Sequence, residues 1–219
     1  MSESSAPAPR VRRKHDPDRT FSRAGYRKAR QLLREDFQNR CAYSMLHEDF
    51  AGGAGAMNID HFDPRRKSDF LQRYDNLFWA SRECNGRKHK HWPTDEQQLL
   101  GIRFLDCTKE LDYGVHIFED PRSNEVWGAT PAGRYHVRIL NLNASVFVRL
   151  RKLRAIAAQA LRGTLVQLKT KHQARISFAA DVAPLRLLLS TIKQFGELSI
   201  PQIEFRSKPQ ASAGNPPSR

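Results

Sequence analysis

Asp60 and His61 stand side by side in the run Asn58-Ile-Asp-His-Phe-Asp-Pro64, an acid and an imidazole among apolar residues in an otherwise heavily basic chain. A bland account makes them two polar residues facing water at a strand end. A chemical account is sharper. A carboxylate offers a hard anionic oxygen to a divalent cation, and a neutral imidazole accepts a proton near pH 7, so the pair reads as a metal ligand beside a general base. Further along, Asn76 lies in Tyr74-Asp-Asn-Leu77, and Asn85 and His89 fall four apart in Glu83-Cys-Asn-Gly-Arg-Lys-His89.

The surrounding periodicity shows what must position these groups. Tyr26, Ala29, Leu32, Leu33 and Phe37 recur at helical spacing, which predicts a helix from Ser22 that runs into Cys41-Ala-Tyr-Ser44. Residues 51–56, rich in Gly and Ala, form a loop. A short strand is expected over Met57 to Phe62, then a polar loop, a second strand over Leu77 to Ser81, and a helix from about Arg82 to Lys90 that Pro93 stops. Neighbours in a regular strand point to opposite faces, so Asp60 and His61 share a site only where the strand ends or distorts. Asn85 and His89, four apart on the predicted helix, share a face.

Beyond this ββα unit, residues 115–120 and 125–130 alternate around a turn and predict a hairpin. A long amphipathic helix is expected from Asn143 to about Lys171. Phe147, Leu150, Leu153, Ala157, Leu161, Leu165 and Leu168 line its apolar face, with Arg149, Arg151, Lys152, Arg154, Arg162 and Lys169 off it. Asp181 caps a further helix that carries Leu185, Leu188, Leu189, Ile192 and Phe195 and ends near Gly196. The division is then a disordered basic arm over 1–19, a domain over 20–140, a helical region over 141–205 and a disordered tail over 206–219. The class is α+β.

Lys and Arg number 37 against 23 Asp and Glu, a net charge of +14, which points to a polyanionic partner and above all to nucleic acid. No apolar run reaches the roughly 18 residues of a spanning helix, and the N-terminal segment has no apolar signal region, so neither membrane nor export is expected. Three cysteines without a signal fit a reducing cytoplasm rather than a disulfide framework.

Taken together, Asp60-His61, Asp75-Asn-Leu77 and Cys84-Asn-x-x-Lys88 resemble the HNH endonuclease family over about Phe37 to Pro93. The resemblance implies a ββα-metal nuclease core embedded in a mainly helical chain. It makes His61 the general base and Asn76 the catalytic-motif residue that braces the loop between the strands. Asp60 and Asn85 become ligands of Mg²⁺ or Mn²⁺, joined by His89 where members carry a second helical ligand. Arg65, Arg66, Lys67, Arg87, Lys88 and Lys90 surround the motif as candidate contacts to backbone phosphates.

Many relatives flank this unit with two Cys-x-x-Cys pairs that hold zinc. Here the spacing yields Cys41-x-x-Ser44 and Ser81-x-x-Cys84, and hydroxyls are poor zinc ligands, so no tight structural zinc is expected. Cys41 and Cys84 are expected to form a buried apolar contact instead. The expected function is metal-dependent hydrolysis of DNA phosphodiesters, in a bacterial anti-phage or mobile-element setting. By fold-level analogy, the C-terminal helices would dock a partner ATPase or other protein. A non-catalytic basic nucleic-acid-binding protein and an HNH nuclease acting on RNA remain the alternatives.

Overall fold

Every residue of Leu77-Phe-Trp-Ala-Ser81 is buried, so this strand must be covered on both faces, and that requirement organises the fold. The computed structural model describes residues 7–22, 25–68, 71–173 and 206–209. In chain order the elements are β1 (Thr20–Ser22), α1 (Ala29–Asp36), α2 (Glu48–Ala51), β2 (Met57–His61), β3 (Leu71–Arg73), β4 (Leu77–Ser81), α3 (Arg82–Lys88), α4 (Asp95–Leu99), β5 (Ile117–Glu119), β6 (Val126–Gly128), α5 (Pro131–Ile139) and α6 (Ser145–Gln173). The strands pair antiparallel as β1–β3, β2–β4 and β5–β6, a mixed α+β architecture.

β2 lies on β4 with Met57 opposite Ser81, Asp60 opposite Phe78 and His61 opposite Leu77. α1 packs on β4 through buried Ala29 and Leu33, and α3 packs on both strands. Ser81 ends β4 and caps α3, its hydroxyl accepting from the Cys84 N–H at 3.3 Å. Strand and helix thus join without a loop, and the position of α3 on the hairpin is set at once.

Several expectations are corrected. The first helix does not begin at Ser22, because residues 20–22 form β1 and hydrogen-bond to β3 within the expected polar loop; a 3₁₀ turn over Tyr26–Lys28 precedes α1. The arm is not disordered from Arg10 onward. Val11 is buried, and its N–H reaches the Cys107 carbonyl at 2.8 Å. Arg10 grips Asp112 with both arms of its guanidinium, at 2.7 and 2.8 Å. Arg13 donates to the Leu77 carbonyl at 2.9 Å and lies over the rings of Phe37, Tyr74 and Phe78. An arginine-rich, apolar-poor stretch looks unfoldable in isolation, but guanidinium planes find carboxylates, carbonyls and aromatic faces on a core that already exists. The start of the tail is also anchored: the Arg206 N–H donates to the Glu119 carbonyl at 3.0 Å, and Trp127 Nε1 to the Arg206 carbonyl at 2.9 Å.

On α6, Phe147 is buried as expected, but Leu153 is 53% exposed while Arg151 is buried. Arg151 turns inward because its guanidinium satisfies the Asn124 and Leu142 carbonyls at 2.6 and 2.8 Å. The side chains of Ala157, Leu161, Leu165 and Leu168, and the helix expected after Asp181, lie outside the described residues. Among the described residues no helix is long and apolar enough to cross a membrane.

The β5–β6 hairpin receives α5 at very short range. A Cβ at Gly133 would stand 2.1 Å from the His116 carbonyl oxygen, so only glycine admits the helix there. This approach drives His136 of α5 into the core, where Nδ1 accepts from the Leu105 N–H at 3.1 Å and the ring meets that of Tyr43 at 5.8 Å. Burial pushes the His136 imidazole down from 6.5 to about 4. The unfolded chain therefore binds the extra proton first as pH falls through this window, and folded stability drops. Between pH 6.5 and 4 the loss from this residue should be about 3 kcal/mol. Denaturant titrations across that range should show a smaller acid loss for His136→Gln, which does not titrate, than for the natural protein.

Candidate active site

Asp60 faces inward from β2. Its Oδ2 accepts from the Tyr43 hydroxyl and lies 3.0 Å from Lys88 Nζ, and the carboxylate is buried. Lys88, expected as a solvent-facing phosphate contact, is 0% exposed, and this corrects that expectation. The reason is helical geometry. Cys84 and Lys88 are four apart, so the face of α3 that packs on the hairpin carries both. The ammonium is held by Asp60 and by the His61 carbonyl at 2.9 Å, with the Tyr43 and Phe104 rings at 6.0 and 5.6 Å. One cation therefore fixes the carboxylate and the backbone of the residue that follows it. Asp60 Oδ1 takes no partner among the described residues.

His61 is the last residue of β2, half-buried at the point where the strand ends. The two expected partners do not share a contact. His61 Nε2 bonds to Gln72 Oε1, and the ring lies 6.1 Å from that of Tyr26. Burial holds the imidazole below its ordinary value, helped by Lys67 and Lys88 and opposed by Gln72 and Asp60. The ring is thus neutral near pH 7, and Nδ1 has no protein partner among the described residues and is not sealed from solvent.

Asn76 is buried and clamps the loop after β2. Its Oδ1 accepts from the Asp63 N–H at 2.8 Å and its Nδ2 donates to the Asp63 carbonyl at 3.0 Å, while its own carbonyl accepts from the Phe62 N–H at 2.8 Å. Asn85 is half-buried on α3, three residues before Lys88 and so on the face turned to β2. His89 is not on the helix. α3 stops at Lys88, and His89 turns away with φ 39°, exposed, so the same-face argument for Asn85 and His89 fails.

The basic residues divide sharply. Arg65 is paired with Asp63 and Asp95, Arg66 with Asp75, and Arg87 with Glu83. Lys67 and Lys90 are exposed and form no ion pair with a described residue. Sequence reasoning passed over Tyr43, Gln72 and Tyr26, the three side chains that hold Asp60 and His61. Tyr43 sits in the lead-in Cys41-Ala-Tyr-Ser44, a usable signal, whereas Gln72 lies in a segment with no periodicity. Next to Tyr26 in the chain, Arg27 and Lys28 are exposed cations.

Cys41 and Cys84 are both buried. Interaction with the Cys41 sulfur, together with burial, drives the Cys84 thiol well above its ordinary value. Among the described residues no three His, Cys, Asp or Glu side chains gather as a metal group. The oxygens that would be offered to a hard cation are Asp60 Oδ1 on β2 and the Asn85 carboxamide on α3, two elements that pack together. No family model matches the chain, and no curated protein or solved structure matches it.

Removing the Lys88 ammonium leaves Asp60 buried without its countercharge. Lys88→Met should cost about 3–5 kcal/mol in a urea titration. Adding Asp60→Leu to it should restore most of the loss, and a double variant no better than Lys88→Met would refute the pairing.

Proposed function

We propose that this chain is a metal-dependent endonuclease of the HNH type that hydrolyses phosphodiester bonds in DNA. The observation that carries the reading is His61. It is a neutral, half-buried imidazole at the end of β2, with Nε2 held by Gln72 and Nδ1 open, directly after a carboxylate aimed at α3. A base so held takes a proton from water as the water oxygen forms a bond to phosphorus and the ester oxygen leaves. A divalent cation on Asp60 and Asn85 would supply charge stabilisation to the phosphorane oxygens and the leaving group. Lys88 keeps Asp60 and the His61 backbone in fixed relation, and Asn76 fixes the loop that follows β2. The net charge of +14, together with exposed Arg27, Lys28, Lys67 and Lys90, which form no ion pair with a described residue, favours a polyanion over a small substrate. The expected setting is the cytoplasm, with any partner protein on the C-terminal helices.

Cleavage of supercoiled plasmid should require Mg²⁺ or Mn²⁺ and stop with EDTA; full activity after exhaustive chelation would overturn the metal assignment. His61→Ala should lower the cleavage rate by roughly 100-fold or more, the usual contribution of a positioned base. Its DNA affinity and salt slope should stay as in the natural protein, because phosphate contacts come from Arg and Lys. Binding without cleavage in both proteins would favour the non-catalytic alternative, and preferential cleavage of single-stranded RNA would favour the RNA one.

A further inference from the structure

We propose that Gln72 is a positioning residue that locks His61 as the Nε2–H tautomer and leaves Nδ1 as the nitrogen that accepts the proton, an inference that rests on His61 being the base of the proposed hydrolysis. The argument is one of donors and acceptors. Gln72 is the middle residue of β3, between exposed Leu71 and Arg73, so strand alternation turns its side chain inward, where it is 3% exposed. Its carboxamide has two ends that differ chemically. One end meets the Ser68 carbonyl oxygen, which can only accept, so that end must be the NH₂. The other end, facing His61, is then the oxygen, and it too can only accept. His61 Nε2 must therefore carry the hydrogen.

The lone pair needed for catalysis is left on Nδ1, the nitrogen without a protein partner among the described residues. Neither Ser68 nor Gln72 is free to reverse the pattern. Gln72 is fixed by the pairing of β3 with β1, Phe21 opposite Gln72, and the Tyr26 ring lies against the imidazole and resists its rotation. Two stretches that precede the ββα segment, residues 20–22 and 26–28, thus select the reactive nitrogen of a residue on β2. A histidine without such a partner samples both tautomers, and only one of them offers its lone pair to the open side.

The tautomer is read directly, without activity, by a long-range ¹H–¹⁵N spectrum of ¹⁵N-histidine-labelled full-length protein at pH 8, with His61→Ala to assign the signal. The natural protein should show a protonated Nε2 and a bare Nδ1. Gln72→Leu should show averaging between tautomers and a cleavage rate lower by about 10- to 100-fold, with DNA affinity unchanged. Gln72→Glu gives up the bond to the Ser68 carbonyl but keeps an acceptor for Nε2–H, so it should show the single tautomer and recover part of the rate lost in Gln72→Leu. A protonated Nδ1 in the natural protein overturns the proposal. So does an Nε2–H tautomer that persists in Gln72→Leu, since something other than Gln72 would then hold it. If Gln72→Leu does not fold, the natural protein and Gln72→Glu decide the matter. The nuclease reading fails on a different result: the assigned tautomer present, but no cleavage by the natural protein.

Discussion

A fully buried ammonium costs several kcal/mol unless each of its hydrogens finds a partner, and Lys88 is such a group at the centre of this molecule. Its demands set the geometry around it. It needs an acceptor carboxylate, and Asp60 is turned inward to meet it; it needs a second acceptor, and the His61 carbonyl is held there. Tyr43, donating to the same Asp60 oxygen, ties the turn before α2 into the pair. Strand β2, helix α3 and the lead-in turn are thereby joined through one cation. Buried Cys41 and Cys84 add packing to the same core.

Asp60 is taken up by Tyr43 and Lys88, and His61, at the end of the strand, bonds to neither of them through its ring. The imidazole therefore needs a second set of supports, and these come from elements remote in sequence. β1 brings in β3, β3 brings in Gln72, and the turn after β1 brings in Tyr26. The arginine-rich arm is the structural base of this second set. Arg10 with Asp112 and Arg13 against three aromatic rings hold the chain down just before β1 begins. Much of what looks like excess positive charge is thus consumed internally, since Arg10, Arg65, Arg66, Arg87, Arg103 and Arg154 all face carboxylates. The cations left for a polyanion are fewer than the net charge suggests, and Lys67 is close enough to His61 to act on its charge.

The local grammar of the chain determined a good deal. The apolar run Leu77–Ser81 could only be a covered strand, Ser81 followed by a polar, helix-compatible stretch could only cap what came next, and alternation on either side of residues 121–124 marked a hairpin. These are short-range properties, set by side-chain period and by hydrogen bonds that close within a few residues. Asn76 belongs with them, since its bonds to Asp63 brace a loop that begins and ends within the same segment. What tertiary structure alone decided is where charge is spent and which way single side chains turn. Lys88 and Arg87 are neighbours of like charge, yet one is the most buried cation in the site and the other a surface partner of Glu83. His89 falls off the face that carries Asn85 only because α3 ends one residue earlier, at Lys88. Gln72 carries no sequence signal at all, because its partner is 11 residues away and its strand exists only by pairing with β1. Such outcomes depend on long-range contacts, whose free energy is defined only when both partners are in place.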